Sequence, residues 1–131
     1  MCFSVDTPQA VTRDPAKAAP YGVKGVTDLS EALTKTEVNA VYVASPVFLH
    51  ASQTLESLRA GKHVLCEKPM ALTRQDAVEM FEAAERKGLK LIEGFPFRFQ
   101  EQTRCVLDCV RGGEIGGVLT ATACFAAYPG A

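Results

Sequence analysis

The sequence predicts an α/β fold: an incomplete doubly wound sheet of parallel strands, wrapped by helices and followed by the start of an α+β domain. Two observations predict it. After Asn39, short apolar runs alternate with longer amphipathic runs, which is the rhythm of parallel strands joined by crossover helices. The run 40–44 has no polar interruption, as is typical of a central strand that is covered on both faces.

The first third of the chain predicts short elements. We expect a strand that ends at Val11, a short helix over 14–21 and a short strand over 24–27. Asp28 is followed three residues later by Glu31, a spacing typical of the N-terminal cap of a helix. A helix of one to two turns is therefore predicted after Asp28.

The middle of the chain predicts two crossover units, of which the first follows the strand over 40–44. Ala51, Leu55 and Leu58 recur at helical spacing, and the glycine three residues after them is typical of a helix C-terminus. A second strand, also expected to be buried, is predicted over 63–66.

The second crossover unit has the same order. Thr73 and Asp76 have the spacing of a capping box, and the helix that they start is predicted to end before Gly88. A third strand is predicted over 90–93.

The pattern changes after Gly94, where three phenylalanines occur within five residues. We place a domain boundary here, with a first domain over 1–96 and the beginning of a second over 97–131. The second contains a predicted amphipathic helix over 100–111 and a predicted strand over 118–125. That last strand has no visible partner strand in the sequence.

Composition and charge exclude several classes of partner. The 131 residues include 14 basic and 15 acidic side chains, with a formal net charge of -1 and no run of either sign. We therefore expect no nucleic-acid partner and no membrane partner. No apolar run approaches the roughly 20 residues that a transmembrane helix needs.

The five cysteines and two histidines predict no metal site. The cysteines are odd in number and never spaced as C-x-x-C, which indicates neither a disulfide framework nor a zinc site and fits a reducing cytoplasm best. Cys105 and Cys109 lie at i, i+4 spacing beside Val106 and Val110. This pattern predicts that both cysteines pack in a core.

Polar residues directly follow two predicted strands, at the edge of a parallel sheet where ligands bind. Ser45-Pro46 follows the first strand, with His50 one helical turn on, and Glu67-Lys68-Pro69 follows the second. A charged pair after a buried strand is costly unless each charge has a partner, which makes Lys68 a candidate acid or base. The alternative is that Glu67 and Lys68 only cap a strand at a solvated edge, and position alone leaves both readings open.

Two motifs in these loops resemble a known family. They are A-S-P-V-F-L-H over 44–50 and A-G-K-H-V-L-C-E-K-P-M-A-L-T over 60–73. Both are similar to the most recognisable part of the glucose-fructose oxidoreductase, inositol dehydrogenase and MocA family of NAD(P)-dependent oxidoreductases, which have a Rossmann-type fold. The resemblance extends from about Val11 to Phe125, through T-R-D-P, D-L-S-E-A-L, F-R-F and G-E-I-G-G-V.

The resemblance implies that Lys68 is catalytic, lying beside the nicotinamide and taking part in proton transfer at the substrate. Glu67 and Pro69 would shape the same corner of the cofactor site. The family often holds the corresponding lysine-proline peptide in cis, and X-Pro bonds are where a cis peptide costs least. We expect this at the Lys68–Pro69 bond.

The resemblance also implies that Ser45, Pro46 and His50 bind the cofactor, in a loop over the nicotinamide ribose. Val47 stands where the family commonly has asparagine, so this loop should make fewer polar contacts. The alternative for His50 is an ordinary surface histidine at the start of a helix.

Two arginines complete the predicted cofactor contacts. Arg13 follows a predicted strand at the place where an arginine can accommodate the 2′-phosphate of NADP, so NADP is favoured over NAD. The alternative is that Arg13 is an exposed arginine without this role. Arg98, in F-R-F, matches a family position close to the cofactor or substrate.

The sequence lacks one signature of a dinucleotide-binding fold. Its ten glycines include no G-x-G-x-x-G turn after an early strand, the turn that receives a pyrophosphate at a helix N-terminus. The family's downstream aspartate and histidine also have no counterparts. We therefore expect a fragment of a Rossmann-type domain, with a bare strand edge beside 40–44, followed by the start of a substrate domain.

The favoured hypothesis is a cytoplasmic oxidoreductase that moves a hydride between NADP or NAD and a carbon of a sugar, polyol or diol substrate. The resemblance implies that the parent protein forms a homo-oligomer. The alternative is a truncated, catalytically inactive paralogue that acts at most as a binding or dimerisation module.

Overall fold

The computed structural model describes residues 2–3, 9–12, 14–34 and 37–124. The strands are β1 (Cys2–Phe3), β2 (Gln9–Val11), β3 (Lys24–Val26), β4 (Ala40–Val43), β5 (His63–Glu67) and β6 (Leu91–Gly94). The α-helices are α1 (Leu29–Leu33), α2 (His50–Arg59), α3 (Arg74–Arg86) and α4 (Glu101–Arg111). Short 3-10 helices span Pro15–Tyr21, Val47–Leu49 and Pro96–Phe99. The chain divides into two units, Met1–Phe95 and Pro96–Ala131.

The six strands of the described chain form one sheet in the order β3-β2-β1-β4-β5-β6. β2 pairs with β3 in parallel, and β4, β5 and β6 pair with one another in parallel. β1 is antiparallel to both of its neighbours, β2 and β4. The predicted α/β class is therefore confirmed, with one short antiparallel strand inside a sheet that was expected to be wholly parallel.

The caps that the sequence predicts are present in the first unit. The Thr73 hydroxyl accepts a hydrogen bond from the backbone N–H of Asp76 at 3.1 Å, and the Asp28 carboxylate accepts one from the N–H two residues later at 2.8 Å. Gly61 and Gly88 follow α2 and α3 with φ angles of 77° and 64°. Glycine adopts this left-handed conformation at least cost, so it ends both helices.

The core of the first unit lies between one face of the sheet and the helices α2 and α3. Its buried apolar residues include Val41, Val43, Leu58, Val64, Cys66, Met80 and Ala84. The strand residues alternate because successive side chains point to opposite faces of a sheet. Full burial of Leu58 and Met80, at about 1.5–3 kcal/mol for each side chain, holds the two helices on the sheet.

The opposite face of the sheet is only partly covered. Leu65 on β5 and Ile92 on β6 are 41% and 48% exposed. The expectation that the strands are buried on both faces is therefore wrong at β5. The reason is that α2 and α3 both pack on the face that carries Val64 and Cys66.

β1 occupies the sheet position beside β4 that was expected to be bare. Its two residues pair with Gln9 on one side and with Ala40 and Val41 on the other. Further along, the carboxyl-terminal ends of β2 and β4 border a cavity of about 290 Å³, lined by residues that include Val11 and Val43.

The second unit contains the predicted amphipathic helix but not the predicted strand. The part of 118–125 that the structure describes, 118–124, is neither helix nor strand, while Phe125 lies outside the described residues. A strand needs a neighbour for its backbone hydrogen bonds. No described strand pairs with this segment, and the strand prediction is wrong there.

The core packing predicted for the helical cysteines is also wrong. Cys105 is exposed, Cys109 is half-buried, and Val106 is 62% exposed. Within its own unit, α4 contacts mainly the 3-10 helix Pro96–Phe99, so its apolar stripe has little to pack against. Among the described residues, no helix is long and apolar enough to cross a membrane.

Candidate active site

The loops after β4 and β5 meet at the carboxyl edge of the sheet, and His50 joins them. The His50 side chain is only 2% exposed. Its Nδ1 lies 2.9 Å from the carbonyl oxygen of Pro69, and its Nε2 lies 2.8 Å from the carbonyl oxygen of Ser45. The expectation that both loops open on the same side of the sheet is therefore confirmed.

The His50 ring is fully engaged inside the protein. Both of its neighbours are carbonyl oxygens, which only accept hydrogen bonds, so each contact needs an N–H on the ring. A neutral imidazole has one N–H, which can donate to one of these two carbonyl groups at a time. His50 is thus not an ordinary surface histidine, and it acts on the site by holding the Ser45 loop against the Pro69 loop.

Glu67, the last residue of β5, is fixed by two hydrogen bonds. Its Oε1 accepts from the Tyr42 hydroxyl at 2.6 Å, and its Oε2 accepts from the backbone N–H of Lys68 at 3.1 Å. The hydrogen bond from Tyr42 is the main reason that the pKa of Glu67 is lowered, and the same bond raises the pKa of Tyr42. Glu67 is therefore an ionised carboxylate, held by a neutral phenol.

Lys68 presents its ammonium group to solvent at this corner. The side chain is exposed, and no hydrogen bond or ion pair holds its Nζ within the part of the chain that the structure describes. The Lys68–Pro69 peptide is cis, as the resemblance implies. The cation is thus available to a ligand while the backbone on either side of it is fixed.

Two further hydrogen bonds hold these loops, one with a residue of α2 and one with a residue of β6. The Ser45 hydroxyl donates to Oε1 of Gln53 at 2.7 Å, and Oε1 of Glu93 accepts from the backbone N–H of Met70 at 2.8 Å. Gly94 pairs with Glu67 across the sheet, and a Cβ at Gly94 would lie 3.3 Å from Oε1 of Glu67. The corner is closely packed on the side of β6.

Three residues of this region were not predicted from the sequence: Tyr42, Gln53 and Glu93. Glu93 could have been predicted, because a carboxylate near the end of the third strand lies at the same edge of the sheet as Glu67. Tyr42 could not, since its contact with Glu67 depends on the register between two strands.

The structure brings six of the predicted residues together in the first unit: Ser45, Pro46, His50, Glu67, Lys68 and Pro69. Arg13 lies outside the described residues. Arg98 lies in the 3-10 helix Pro96–Phe99 of the second unit, and its contact with cofactor or substrate stays a prediction. No group of three or more metal-binding side chains occurs in the described ranges.

The corner suits one end of a dinucleotide cofactor. An exposed ammonium with open hydrogen-bonding positions lies at the carboxyl ends of adjacent parallel strands, where nucleotides bind in sheets of this type. The described residues include no glycine-rich turn at a helix N-terminus to receive the pyrophosphate. The donor set therefore fits the nicotinamide end of such a cofactor better than its pyrophosphate.

Comparison with known proteins identifies the family of the chain. The sequence model of the oxidoreductase family with an NAD-binding Rossmann fold, named for glucose-fructose oxidoreductase, inositol dehydrogenase and MocA, matches residues 5–95. The chain is 41% identical over 117 residues to the 1,5-anhydro-D-fructose reductase of Ensifer adhaerens, covering 88% of this chain and 35% of the relative. It is 39% identical over 109 residues to a dTDP-3,4-didehydro-2,6-dideoxy-alpha-D-glucose 3-reductase of Actinomadura kijaniata, covering 83% and 33%. The chain thus spans about a third of the length of these curated relatives.

Solved structures agree in fold. An NAD-binding oxidoreductase from Klebsiella pneumoniae superposes with a TM-score of 0.77 at 32% identity, over 82% of this chain and 30% of that one. A 3-ketoreductase from Actinomadura kijaniata, solved with NADP and TDP-benzene, superposes with a TM-score of 0.73 at 36% identity, over 82% and 34%. The chain therefore belongs to the glucose-fructose oxidoreductase, inositol dehydrogenase and MocA family of oxidoreductases.

Proposed function

We propose that this chain forms the nicotinamide side of the active site of an NAD(P)-dependent oxidoreductase that acts on a sugar, polyol or diol. The observation that carries the proposal is the corner around Lys68. Its ammonium is free of hydrogen bonds within the described chain and exposed, while the backbone on both sides is held by Glu67 and by His50. A fixed backbone with an open cation suits a residue that acts on a bound ligand.

In the direction of reduction, Lys68 would donate a proton from its ammonium to the carbonyl oxygen of the substrate. The reduced nicotinamide, when bound, would supply the hydride to the carbonyl carbon. The oxygen would then become a hydroxyl group, and Lys68 would regain its proton from solvent, to which it is exposed. Positioned acids and bases of this kind contribute about 10²–10⁴ to a rate.

The other predicted residues would position the cofactor. Ser45 and Pro46 lie in the loop after β4, and Glu67 and Pro69 flank Lys68. His50 would contribute through the loops that it joins, since its ring nitrogens already face protein carbonyl groups. Arg13 and Arg98 are proposed to contact the cofactor, with Arg13 favouring NADP.

The names of the relatives support a sugar as substrate. One reduces an anhydrofructose and others reduce a keto group of a dTDP-sugar. The 3-ketoreductase was solved with NADP, which supports NADP over NAD. A carbonyl group on a sugar ring is therefore the proposed substrate class, and the sugar itself depends on contacts outside the corner.

Fluorescence titration with NADPH and NADH tests the proposed cofactor site. We expect saturable binding of at least one nucleotide by a chain that circular dichroism shows to be folded. A folded chain that binds neither nucleotide would contradict the proposal and favour the alternative of an inactive binding module.

The role of Lys68 is tested by the rate of keto-sugar reduction with NADPH. Lys68→Ala should lower the rate by about 10²–10⁴ and leave the circular dichroism spectrum unchanged. Lys90→Ala is the matched control, because Lys90 is an exposed lysine before β6, at the opposite edge of the sheet. An unchanged rate in Lys68→Ala would refute the assignment.

A further inference from the structure

Tyr42 is linked to Lys68 through a single intervening carboxylate. The Tyr42 hydroxyl donates to one oxygen of Glu67 at 2.6 Å, and the other oxygen accepts from the backbone N–H of Lys68 at 3.1 Å. Distances of 2.5–2.7 Å are typical of a hydroxyl that donates to an ionised carboxylate. Both oxygens of Glu67 are therefore engaged, and the carboxylate connects a strand in the sheet to the backbone of the exposed lysine.

The register of the sheet makes this link possible. Tyr42 on β4 lies opposite Leu65 on β5, and Glu67 follows two residues later, on the same face. This is the face that α2 and α3 leave open. His50 contacts the Pro69 carbonyl from the start of α2, so the corner is held from both faces of the sheet.

We propose that Tyr42 is a positioning residue, which fixes Lys68 in the proposed active site by holding the Glu67 carboxylate against the Lys68 backbone. This inference rests on the proposed function for its consequence in cofactor binding, whereas the link itself lies within the first unit. Tyr42 acts on Lys68 through Glu67, whose carboxylate accepts its hydrogen bond.

The charges around Glu67 agree with this role. Its pKa is lowered first by the hydrogen bond from Tyr42 and then by the hydrogen bond from the Lys68 backbone, with smaller contributions from the charges of Lys68 and His50. Glu67 thus stays ionised over a wide pH range. Tyr42 keeps its proton to a higher pH than an ordinary tyrosine, since the same bond raises its pKa.

The alternative is that Tyr42 only fills space on the open face of the sheet. Tyr42→Phe separates the two readings, because it keeps the ring and removes the hydroxyl. Tyr21→Phe is the matched control, since Tyr21 is 79% exposed and lies in a 3-10 helix away from β5. Circular dichroism checks that both variants are folded.

The first measurement is an NMR pH titration of the Lys68 amide proton, whose shift reports the protonation of the carboxylate that it contacts. In the unmodified chain, the midpoint should lie below that of an ordinary glutamate. In Tyr42→Phe the midpoint should move up in pH, because the main contact that lowers the pKa of Glu67 is gone, and in Tyr21→Phe it should not move. An unchanged midpoint in Tyr42→Phe would overturn the proposal.

The second measurement is the affinity for NADPH. Tyr42→Phe should weaken binding about tenfold, the size expected for one hydrogen bond to a charged group. If the midpoint moves and the affinity does not, Tyr42 holds Glu67 without positioning the cofactor corner, and the proposal is wrong. If the unmodified chain binds neither nucleotide, the proposed function fails, and the amide titration still decides whether Tyr42 acts on the Lys68 backbone.

Discussion

His50 shows how one buried side chain can determine the geometry of two loops. Its ring is almost completely buried and faces the carbonyl oxygens of Ser45 and Pro69. A buried carbonyl group without a donor costs about 1–3 kcal/mol. The ring therefore stabilises the fold as well as the site.

We expect His50→Leu to lower the free energy of unfolding by about 1–3 kcal/mol, since the carbonyl groups of Ser45 and Pro69 lose the donor that the ring supplies while the side-chain volume is nearly kept. Urea denaturation followed by circular dichroism measures this. His63→Leu is the control, because His63 is exposed and makes one contact, from the N–H of Lys90. Equal losses of unfolding free energy in the two variants would show that the contacts of His50 with the two carbonyl groups contribute no extra stability.

At this scale, the sequence predicts residues that form a motif better than it predicts their partners. Lys68 and His50 follow from their place after strands and from the resemblance. Tyr42 and Gln53 do not, because Tyr42 is 25 positions from its partner Glu67 in the sequence and Gln53 is eight positions from its partner Ser45. Such contacts depend on strand register and helix orientation, which a linear pattern specifies only loosely.

Among the elements, α3 begins with a side-chain cap at Thr73. The Thr73 hydroxyl accepts from the N–H of Asp76 and donates to the carboxylate of Asp76 at 2.7 Å. This pair satisfies one of the N–H groups that the first turn of a helix leaves free. α3 in turn buries Met80 against the sheet.

Thr73→Ala should therefore lower the free energy of unfolding by about 1 kcal/mol, the usual cost of losing an N-cap side chain. Thr73→Ser keeps the hydroxyl and should stay within a few tenths of a kcal/mol of the unmodified chain. Urea denaturation of the three proteins is the measurement. A loss of the same size in Thr73→Ser would indicate that the methyl group, and not the cap, is what matters.

Helices that begin with a capping residue could be predicted from the sequence. The strand that has no adjacent strand to pair with was predicted wrongly. Asp28 and Thr73 mark the starts of α1 and α3, because a cap is a contact between residues close in sequence. The strand expected over 118–125 had the right composition, but its described part has no adjacent strand. A strand exists only as a member of a sheet, so composition alone misled there.

At the scale of the whole molecule, the sheet is packed on one face and open in two places. α2 and α3 cover the face of Val64 and Cys66, while Leu65 and Ile92 on the other face stay partly exposed. The cavity at the carboxyl-terminal ends of β2 and β4 is the second opening. The apolar runs predicted strands correctly, yet they did not reveal which faces would be covered, because that depends on where the helices pack.

Cys66 reports on the packed face of the whole first unit. It is fully buried on β5, within the cluster that joins the sheet to α2 and α3. Burial raises the pKa of its thiol. Because the thiolate is the reactive form, inaccessibility and the raised pKa both protect it from alkylation.

We therefore expect iodoacetamide at neutral pH to alkylate the exposed Cys105 readily. The rate of alkylation at the buried Cys66 should be at least about a hundredfold lower. Mass spectrometry of the digested chain gives both rates, and labelling in urea should remove the difference. Met80→Ala is the test of mechanism: a cavity under the sheet should cost about 2–5 kcal/mol and raise the rate at Cys66 without changing that at Cys105. If Cys66 reacted as fast as Cys105 in the native chain, α2 and α3 would not cover this face of the sheet. In that case α2 would also not hold His50 against the loop that carries Lys68.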